Sequence, residues 1–149
     1  MFSKACEYAI RSCIFIATKS INNERVNLKS IAKEIDSPEA FTAKILQQLA
    51  KNNIIQSLKG PTGGFTITTE TMTKIKLRNI VLAIDGDGIY SNCVLGMKDC
   101  SEQQPCPVHF QYKSIKAELL SFLENTNLEQ LCSGLESGET FLKISNLKA

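Results

Sequence analysis

The sequence lacks several features that would assign it to a membrane or secreted protein. No apolar run approaches the roughly 18 residues that a transmembrane helix needs. The first seven residues, Met1 to Glu7, contain no cationic segment followed by an apolar run, so we expect no signal peptide and a cytoplasmic location. There is also no internal repeat and no low-complexity segment. We therefore expect no membrane partner.

Signatures of catalysis are missing as well. We find no paired carboxylates and no spacing typical of a catalytic triad. The glycine-rich segment 60–64 lacks the Gly-Lys-Ser/Thr ending of a phosphate-binding loop, and no helix directly follows it. We therefore expect that the protein is not an enzyme and has no small-molecule substrate.

The composition is that of an ordinary globular protein with an uneven charge. Of its 149 residues, 43% are hydrophobic and 21% are charged, which is enough for one stable core. Residues 1–66 hold nine basic and five acidic side chains, whereas residues 67–149 hold eight and ten. A basic first half and an acidic second half favour an anionic partner for the first half alone.

The first 75 residues have the pattern of a winged helix-turn-helix, and we take 1–75 as the DNA-binding domain. Apolar residues recur every three or four positions in three predicted helices, at 3–18, 27–35 and 38–52. Ser37 is the expected N-cap of the third helix, with Pro38 in its first turn. Two predicted strands follow around a Gly-Pro turn, at 54–59 and 65–69.

The exposed face of the third helix and the tip of the hairpin are the candidate DNA contacts. The second helix of a helix-turn-helix enters the major groove, where Lys and Gln reach base edges and small residues permit close approach. The alternative is an ordinary solvated helix face. The candidates on the helix and at its start are Pro38, Ala40, Phe41, Ala43, Lys44, Gln47 and Lys51, and those on the wing are Lys59, Gly60, Pro61 and Thr62.

Residues 76–149 are predicted to combine a linker helix, a loop and a dimerisation helix. The linker helix covers 77–85, and the loop at 86–107 has no periodicity, which is typical of functional loops. The following helix, at 107–124, carries a short heptad seam that favours pairing with a second chain. The seam consists of Val108, Tyr112, Ile115, Leu119 and Phe122. Thr126 and Asn127 are expected to cap a final short turn.

The loop concentrates Cys93, Cys100 and Cys106 close to the only histidine, His109. Thiolate and imidazole bind soft or borderline metals, so a metal site is favoured over free thiols or a disulfide, which would leave one cysteine over. The spacing alone favours neither zinc nor an iron–sulfur cluster. The other three cysteines are assigned no metal: Cys6 and Cys13 are expected in the core of the first helix, and Cys132 as a spectator thiol.

The sequence resembles the Rrf-two family of bacterial winged-helix transcription regulators, of the IscR and NsrR types, over residues 1–135. The most specific segment is Ser57 to Phe65, a basic run followed by Gly-Pro-x-Gly-Gly-aromatic, together with the three-cysteine loop. Three further segments carry the resemblance: Glu7 to Ile10, Leu28 to Ile35 and Leu49 to Ile55.

The resemblance implies a homodimer held by the helix at 107–124 and one [2Fe-2S] cluster in each protomer. Cys93, Cys100 and Cys106 match the family's ligands, and His109 is the favoured fourth ligand. Glu7 is the alternative, supplied by the partner subunit. The first cysteine gap is one residue longer than in iron–sulfur assembly regulators. Ala43 stands where those regulators have an acidic residue, so the recognised DNA sequence is expected to differ.

We therefore predict a mainly α protein with a small β-hairpin that regulates transcription. It is expected to be a cytoplasmic homodimer that binds a palindromic operator in double-stranded DNA, acting as a repressor. A [2Fe-2S] cluster would control this binding by sensing iron–sulfur status, redox state or nitric oxide. The alternative is a winged-helix regulator that uses the same cysteines as a thiol redox switch or a zinc site.

Overall fold

The computed structural model of the protein describes residues 1–145. Eight helices and one antiparallel hairpin lie in this part of the chain. In chain order they are α1 (Lys4–Ile21), α2 (Leu28–Glu34), α3 (Glu39–Lys51), β1 (Gln56–Leu58), β2 (Gly64–Thr66), α4 (Thr69–Lys74), α5 (Leu77–Asp85), α6 (Gly88–Ser91), α7 (His109–Asn125) and α8 (Leu128–Ser137). The predicted fold class, mainly α with a small hairpin, is confirmed.

Side-chain caps fix where the first two helices begin. The hydroxyl of Ser3 accepts a hydrogen bond from the backbone N–H of Cys6 at 3.0 Å. Asn27 caps α2 as predicted, accepting from the N–H of Ser30 at 2.9 Å. Each cap satisfies a backbone donor that the first helical turn leaves without a partner. Helix α1 runs to Ile21, three residues past the predicted end at 18.

The predicted N-cap of α3 is wrong by one residue. Pro38, not Ser37, occupies the cap position, in an extended conformation with φ −60° and ψ 133°. The Ser37 hydroxyl instead hydrogen bonds to the hydroxyl of Thr42, and its N–H donates to the carbonyl of Ala32 at 3.0 Å. Ser37 therefore closes the turn between α2 and α3 and leaves the start of α3 to the proline.

The wing is shorter than the two predicted strands and gains a third segment. Strands β1 and β2 pair from Gln56↔Thr66 to Leu58↔Gly64. Ile54 and Ile55 belong to the core rather than to the ladder. Val26 exchanges backbone hydrogen bonds with Phe65, at 3.2 and 2.8 Å. The segment before α2 is therefore tied to the hairpin, which the sequence pattern did not indicate.

Helix α1 is the centre of the core, and α3, α5 and α8 pack around it. Cys6 and Cys13 are fully buried on α1, as predicted. The expected final short turn is instead the ten-residue helix α8, which Asn127 begins with a capping box. Cys132, the expected spectator thiol, lies on α8 and is also fully buried in the core.

Two more short helices escaped prediction. Helix α4 has a polar sequence with only Met72 buried, and α6 lies inside the predicted loop. Helix α7 begins at His109 rather than at Pro107, because the chain first forms a turn in which the His109 N–H donates to the Cys106 carbonyl at 3.0 Å. Among the described helices, none combines the length and apolar character that crossing a membrane requires.

Candidate functional site

The three loop cysteines and His109 line one cavity of about 210 Å³ between the loop and α7. The loop forms one wall of the cavity, and the first two turns of α7 form the other. Cys93, Cys106 and His109 are 8%, 8% and 7% exposed, whereas Cys100 is exposed. The full lining is Cys93, Val94, Cys100, Glu102, Cys106, His109, Tyr112, Lys113 and Lys116.

A tight turn directly follows Cys93 in the loop. Gly96, at φ +76°, closes the turn by donating its N–H to the Cys93 carbonyl at 3.0 Å. The N–H groups of Met97 and Leu95, followed by the Cys106 thiol and the Gly96 N–H, hold the pKa of the Cys93 thiol below its usual value. Successive N–H groups that converge on one point form an anion site, so this turn favours a thiolate.

The second sulfur is placed against the histidine. The Cys100 sulfur lies 3.5 Å from Nδ1 of His109. The other ring nitrogen, Nε2, is buried and has no hydrogen-bond partner among the described residues. A buried polar atom without a partner is costly, and such atoms in native proteins usually have an explanation in an unseen ligand or a functional role.

The four donors line one cavity, in which the Cys100 sulfur contacts the His109 ring. In residues 1–145, no three His, Cys, Asp or Glu side chains converge as one metal ion would require. A two-iron cluster needs a different distribution, because its four ligands are shared between two irons and His can replace Cys. Three thiols and one imidazole around one cavity are a donor set of that kind.

The rim of the cavity carries an ion pair between Lys113 and Glu102. The Lys113 ammonium lowers the pKa of the Glu102 carboxyl. Glu7, the alternative fourth ligand, does not line this cavity. It lies on α1, 3.5 Å from the Lys4 ammonium, in a separate groove that also contains Tyr8 and Arg11.

The DNA-contact candidates of α3 share one exposed face. Pro38, Ala40, Phe41, Lys44, Gln47 and Lys51 are exposed, and Ala43 is half-buried. The opposite face, with Thr42, Ile45, Leu46 and Leu49, is buried in the core. Phe41 also meets the ring of Tyr8 edge-on, with 5.7 Å between centroids. It therefore links the exposed face of α3 to α1 as well as facing solvent.

All four wing candidates, Lys59 to Thr62, are exposed at the hairpin tip. Sequence reasoning missed Arg25, whose guanidinium donates to the Thr62 carbonyl at 3.1 Å. It adds a positive charge to the wing. Only the pairing of Val26 with Phe65 brings Arg25 there, and the polar segment around it carries no local signal.

The predicted seam of α7 contains both buried and exposed residues. Leu119 is buried and Tyr112 is half-buried within the protomer, on the side that packs against α5. Val108, Ile115 and Phe122, each seven residues apart, remain 37%, 54% and 49% exposed. These three residues, one in each heptad, form an exposed apolar stripe that begins at the N-cap of α7 and runs along the helix. We call it the α7 stripe.

The sequence profile of the Rrf2 (Rrf-two) family, described as an iron-dependent transcriptional regulator, matches residues 2–134. The chain belongs to the Rrf2 family. An HTH-type transcriptional regulator of Aquifex aeolicus (strain VF5) is 31% identical over 134 residues, covering 88% of this chain and 90% of that protein. The regulator IscR of Vibrio vulnificus (strain YJ016) is 24% identical over 129 residues, covering 87% of this chain and 75% of that protein.

Solved Rrf2-type structures have the same fold. CymR, described as the global cysteine regulator of B. subtilis, superposes with a TM-score of 0.71 at 22% identity, covering 89% of this chain and 96% of that one. IscR of T. potens gives 0.70 at 16% identity, with 94% and 91% covered. The protein is thus a winged-helix transcription regulator of the Rrf2 family, which implies DNA binding, and it is not an enzyme.

Proposed function

We propose that this Rrf2 regulator is a cytoplasmic homodimer whose operator binding, repressive in effect, is controlled by a [2Fe-2S] cluster. Residues 1–75 form the DNA-binding domain, and residues 76–149 supply the cysteine loop and the dimer helix. Cys93, Cys100, Cys106 and His109 are the cluster ligands. The observation that carries the proposal is the convergence of these four donors on one cavity, with the Cys100 sulfur 3.5 Å from the His109 ring.

DNA recognition falls to α3 and the wing. The exposed face of α3 offers Lys44, Gln47 and Lys51 to the major groove, and Lys59 at the wing suits phosphate contact. Two α3 helices related by a two-fold axis would read two half-sites about one helical turn apart, which gives a palindromic operator. The α7 stripe is the surface that would face the second copy, since it is apolar and exposed in the single chain.

When bound, the cluster would supply one-electron redox chemistry and reactivity toward oxidants and nitric oxide. The chain's own residues fix the site. The turn at Cys93 presents N–H groups to one sulfur, the buried His109 ring is held at the start of α7, and the loop excludes bulk water from three of the four donors. The loop begins directly after Asp85, which contacts the N-terminus of α1. A change in the conformation of the loop would therefore reach the DNA-binding domain through the backbone at Asp85 and through the hydrogen bond from Ser3 to Asp85.

The decisive experiment is metal and sulfide analysis of protein purified without oxygen. We expect about two iron and two acid-labile sulfide per chain, as for a [2Fe-2S] cluster. Cys100→Ala should lose both, while Cys132→Ala, which changes a cysteine in the core, should keep both. A Cys100→Ala protein with undiminished iron and sulfide would rule out this ligand set.

The second candidate is a regulator in which the same cysteines act as a thiol switch. The burial of Cys93 and Cys106 in the same cavity and the lowered pKa of the Cys93 thiol favour it. In that case the two thiols would give up two electrons and two protons to an oxidant such as a peroxide and form a disulfide. Colourless protein without iron, together with a Cys93–Cys106 disulfide found by mass spectrometry after oxidation, would establish this function. Zinc in the purified protein would indicate a zinc site instead.

A further inference from the structure

One lysine of α7 holds the cysteine loop at two points. The ammonium of Lys116 donates to the Asn92 carbonyl at 2.8 Å and to the Cys100 sulfur at 3.2 Å. Asn92 immediately precedes Cys93. A single cation, half-buried in the cavity wall, therefore fixes the backbone beside the first cysteine and the side chain of the second.

Lys113 lines the same cavity one turn earlier on the helix, but its surroundings differ. Its ammonium is paired with the carboxylate of Glu102. Among residues 1–145, no carboxylate forms an ion pair with Lys116, whose contacts are a sulfur and a carbonyl. The positive charge of Lys116 is thus directed at the Cys100 sulfur, whereas that of Lys113 is largely neutralised at the rim.

We infer that Lys116 is a positioning residue that raises the reduction potential of the cluster by donating a charged hydrogen bond to the Cys100 sulfur. This inference rests on the proposed function. Reduction adds negative charge to a cluster, and hydrogen bonds and cations at its sulfurs stabilise the reduced state. The bond to Asn92 gives Lys116 a second effect, because it keeps the loop against α7 and so slows the loss of the cluster.

The test is a redox titration of anaerobically purified protein, followed by its visible spectrum. At the potential that reduces half of the wild-type cluster, Lys116→Met should lower the ratio of reduced to oxidised cluster about tenfold, a shift of about 60 mV for one electron. The double variant Lys113→Met/Glu102→Gln is the matched control, since it removes from the same cavity a lysine that does not contact a cysteine, together with its paired carboxylate. Its ratio should change far less. Lys116→Arg should restore most of the wild-type ratio, because it keeps the charge and the donors.

Each outcome has a separate meaning. If the wild type holds no iron and sulfide, the proposed function fails and this inference fails with it. If the wild type holds a cluster but Lys116→Met titrates like Lys113→Met/Glu102→Gln, only the inference is wrong. If Lys116→Met fails to retain a cluster, the reduction potential is measured instead in Lys116→Gln, which keeps a neutral hydrogen-bond donor. A wild-type potential in Lys116→Gln would show that the charge of Lys116 does not tune the cluster.

Discussion

Asp85, the last residue of α5, binds Ser3, the residue that caps α1. One carboxylate oxygen accepts the Ser3 N–H at 2.9 Å, and the other accepts its hydroxyl proton. The Ser3 hydroxyl in turn accepts the N–H of Cys6. The residue that immediately precedes the cysteine loop is therefore tied to the beginning of α1, the helix at the centre of the core. The same helix reaches α3 through Tyr8 and Phe41.

Replacing Asp85 by Ala is expected to destabilise the protein by about 1 kcal/mol, the usual effect of losing a helix cap. Without the carboxylate, the Ser3 side chain would be free to turn away from α1. Urea denaturation measures the free energy of unfolding of each variant. Asp87→Ala is the control, because Asp87 precedes α6 without a side-chain cap, and it should change stability much less. Equal losses in both variants would contradict a specific role for the Asp85–Ser3 contact.

Substitutions on α3 should separate two kinds of DNA contact. If Lys44 contacts phosphate, Lys44→Ala should weaken binding to all sequences and reduce the salt dependence by about one unit of slope. If Gln47 reads a base edge, Gln47→Ala should reduce the preference for the operator by about 1–3 kcal/mol at one position. Fluorescence anisotropy over a salt series measures both. Lys74→Ala, an exposed lysine on α4, should match the wild type; a comparable loss there would indicate only a general charge effect.

A charge in the α7 stripe should prevent dimer formation. Ile115→Asp places a carboxylate in the exposed apolar stripe, where a second copy would have to bury it without a partner. Sedimentation velocity should then show a monomer. Ala117→Asp introduces the same side chain on an exposed position of the opposite face and should leave a dimer. A dimeric Ile115→Asp protein would mean that another surface joins the copies.

Buried thiols should make the protein lose stability in alkaline solution. Burial raises the pKa of the Cys13 thiol, and the neighbouring Cys6 and Cys132 raise it further. The folded state keeps this proton after the unfolded chain has released it, near pH 8.5. The stabilisation is therefore complete below that pH and is lost as the pH rises above it, by at most about 1.4 kcal/mol per pH unit for one thiol.

Chemical unfolding between pH 7 and 11 tests whether the free energy of unfolding falls as the pH rises. Cys13→Ala should lower stability at neutral pH, because it leaves a small cavity, but its stability should fall less steeply above pH 9. Ser12→Ala changes a neighbouring buried residue that does not ionise and should shift the whole curve without altering its slope. Equal slopes for the wild type and Cys13→Ala would show that this thiol is not protected by the fold.

Local patterns in the sequence determined the five helices α1, α2, α3, α5 and α7, and for α3 also which face is exposed. Apolar periodicity and a cap at Asn27 predicted α2, and the stripe of α3 divided buried Leu46 from exposed Lys44 correctly. The glycine-rich turn predicted the hairpin. These features follow from neighbours within a few residues, and such short-range rules can be applied without knowing the fold.

Contacts between distant residues were decided only by the tertiary structure. Ser37 is not the cap because its N–H bonds back to the Ala32 carbonyl of α2 and its hydroxyl bonds forward to Thr42 of α3. Arg25 reached the wing through a bridge between residues 26 and 65. The cysteine spacing predicted a metal site but not the contact between Cys100 and His109, and no periodicity linked Lys116 to Cys100. Sequence spacing fixes which residue types are near in the chain, but the direction of each side chain depends on the elements packed around it.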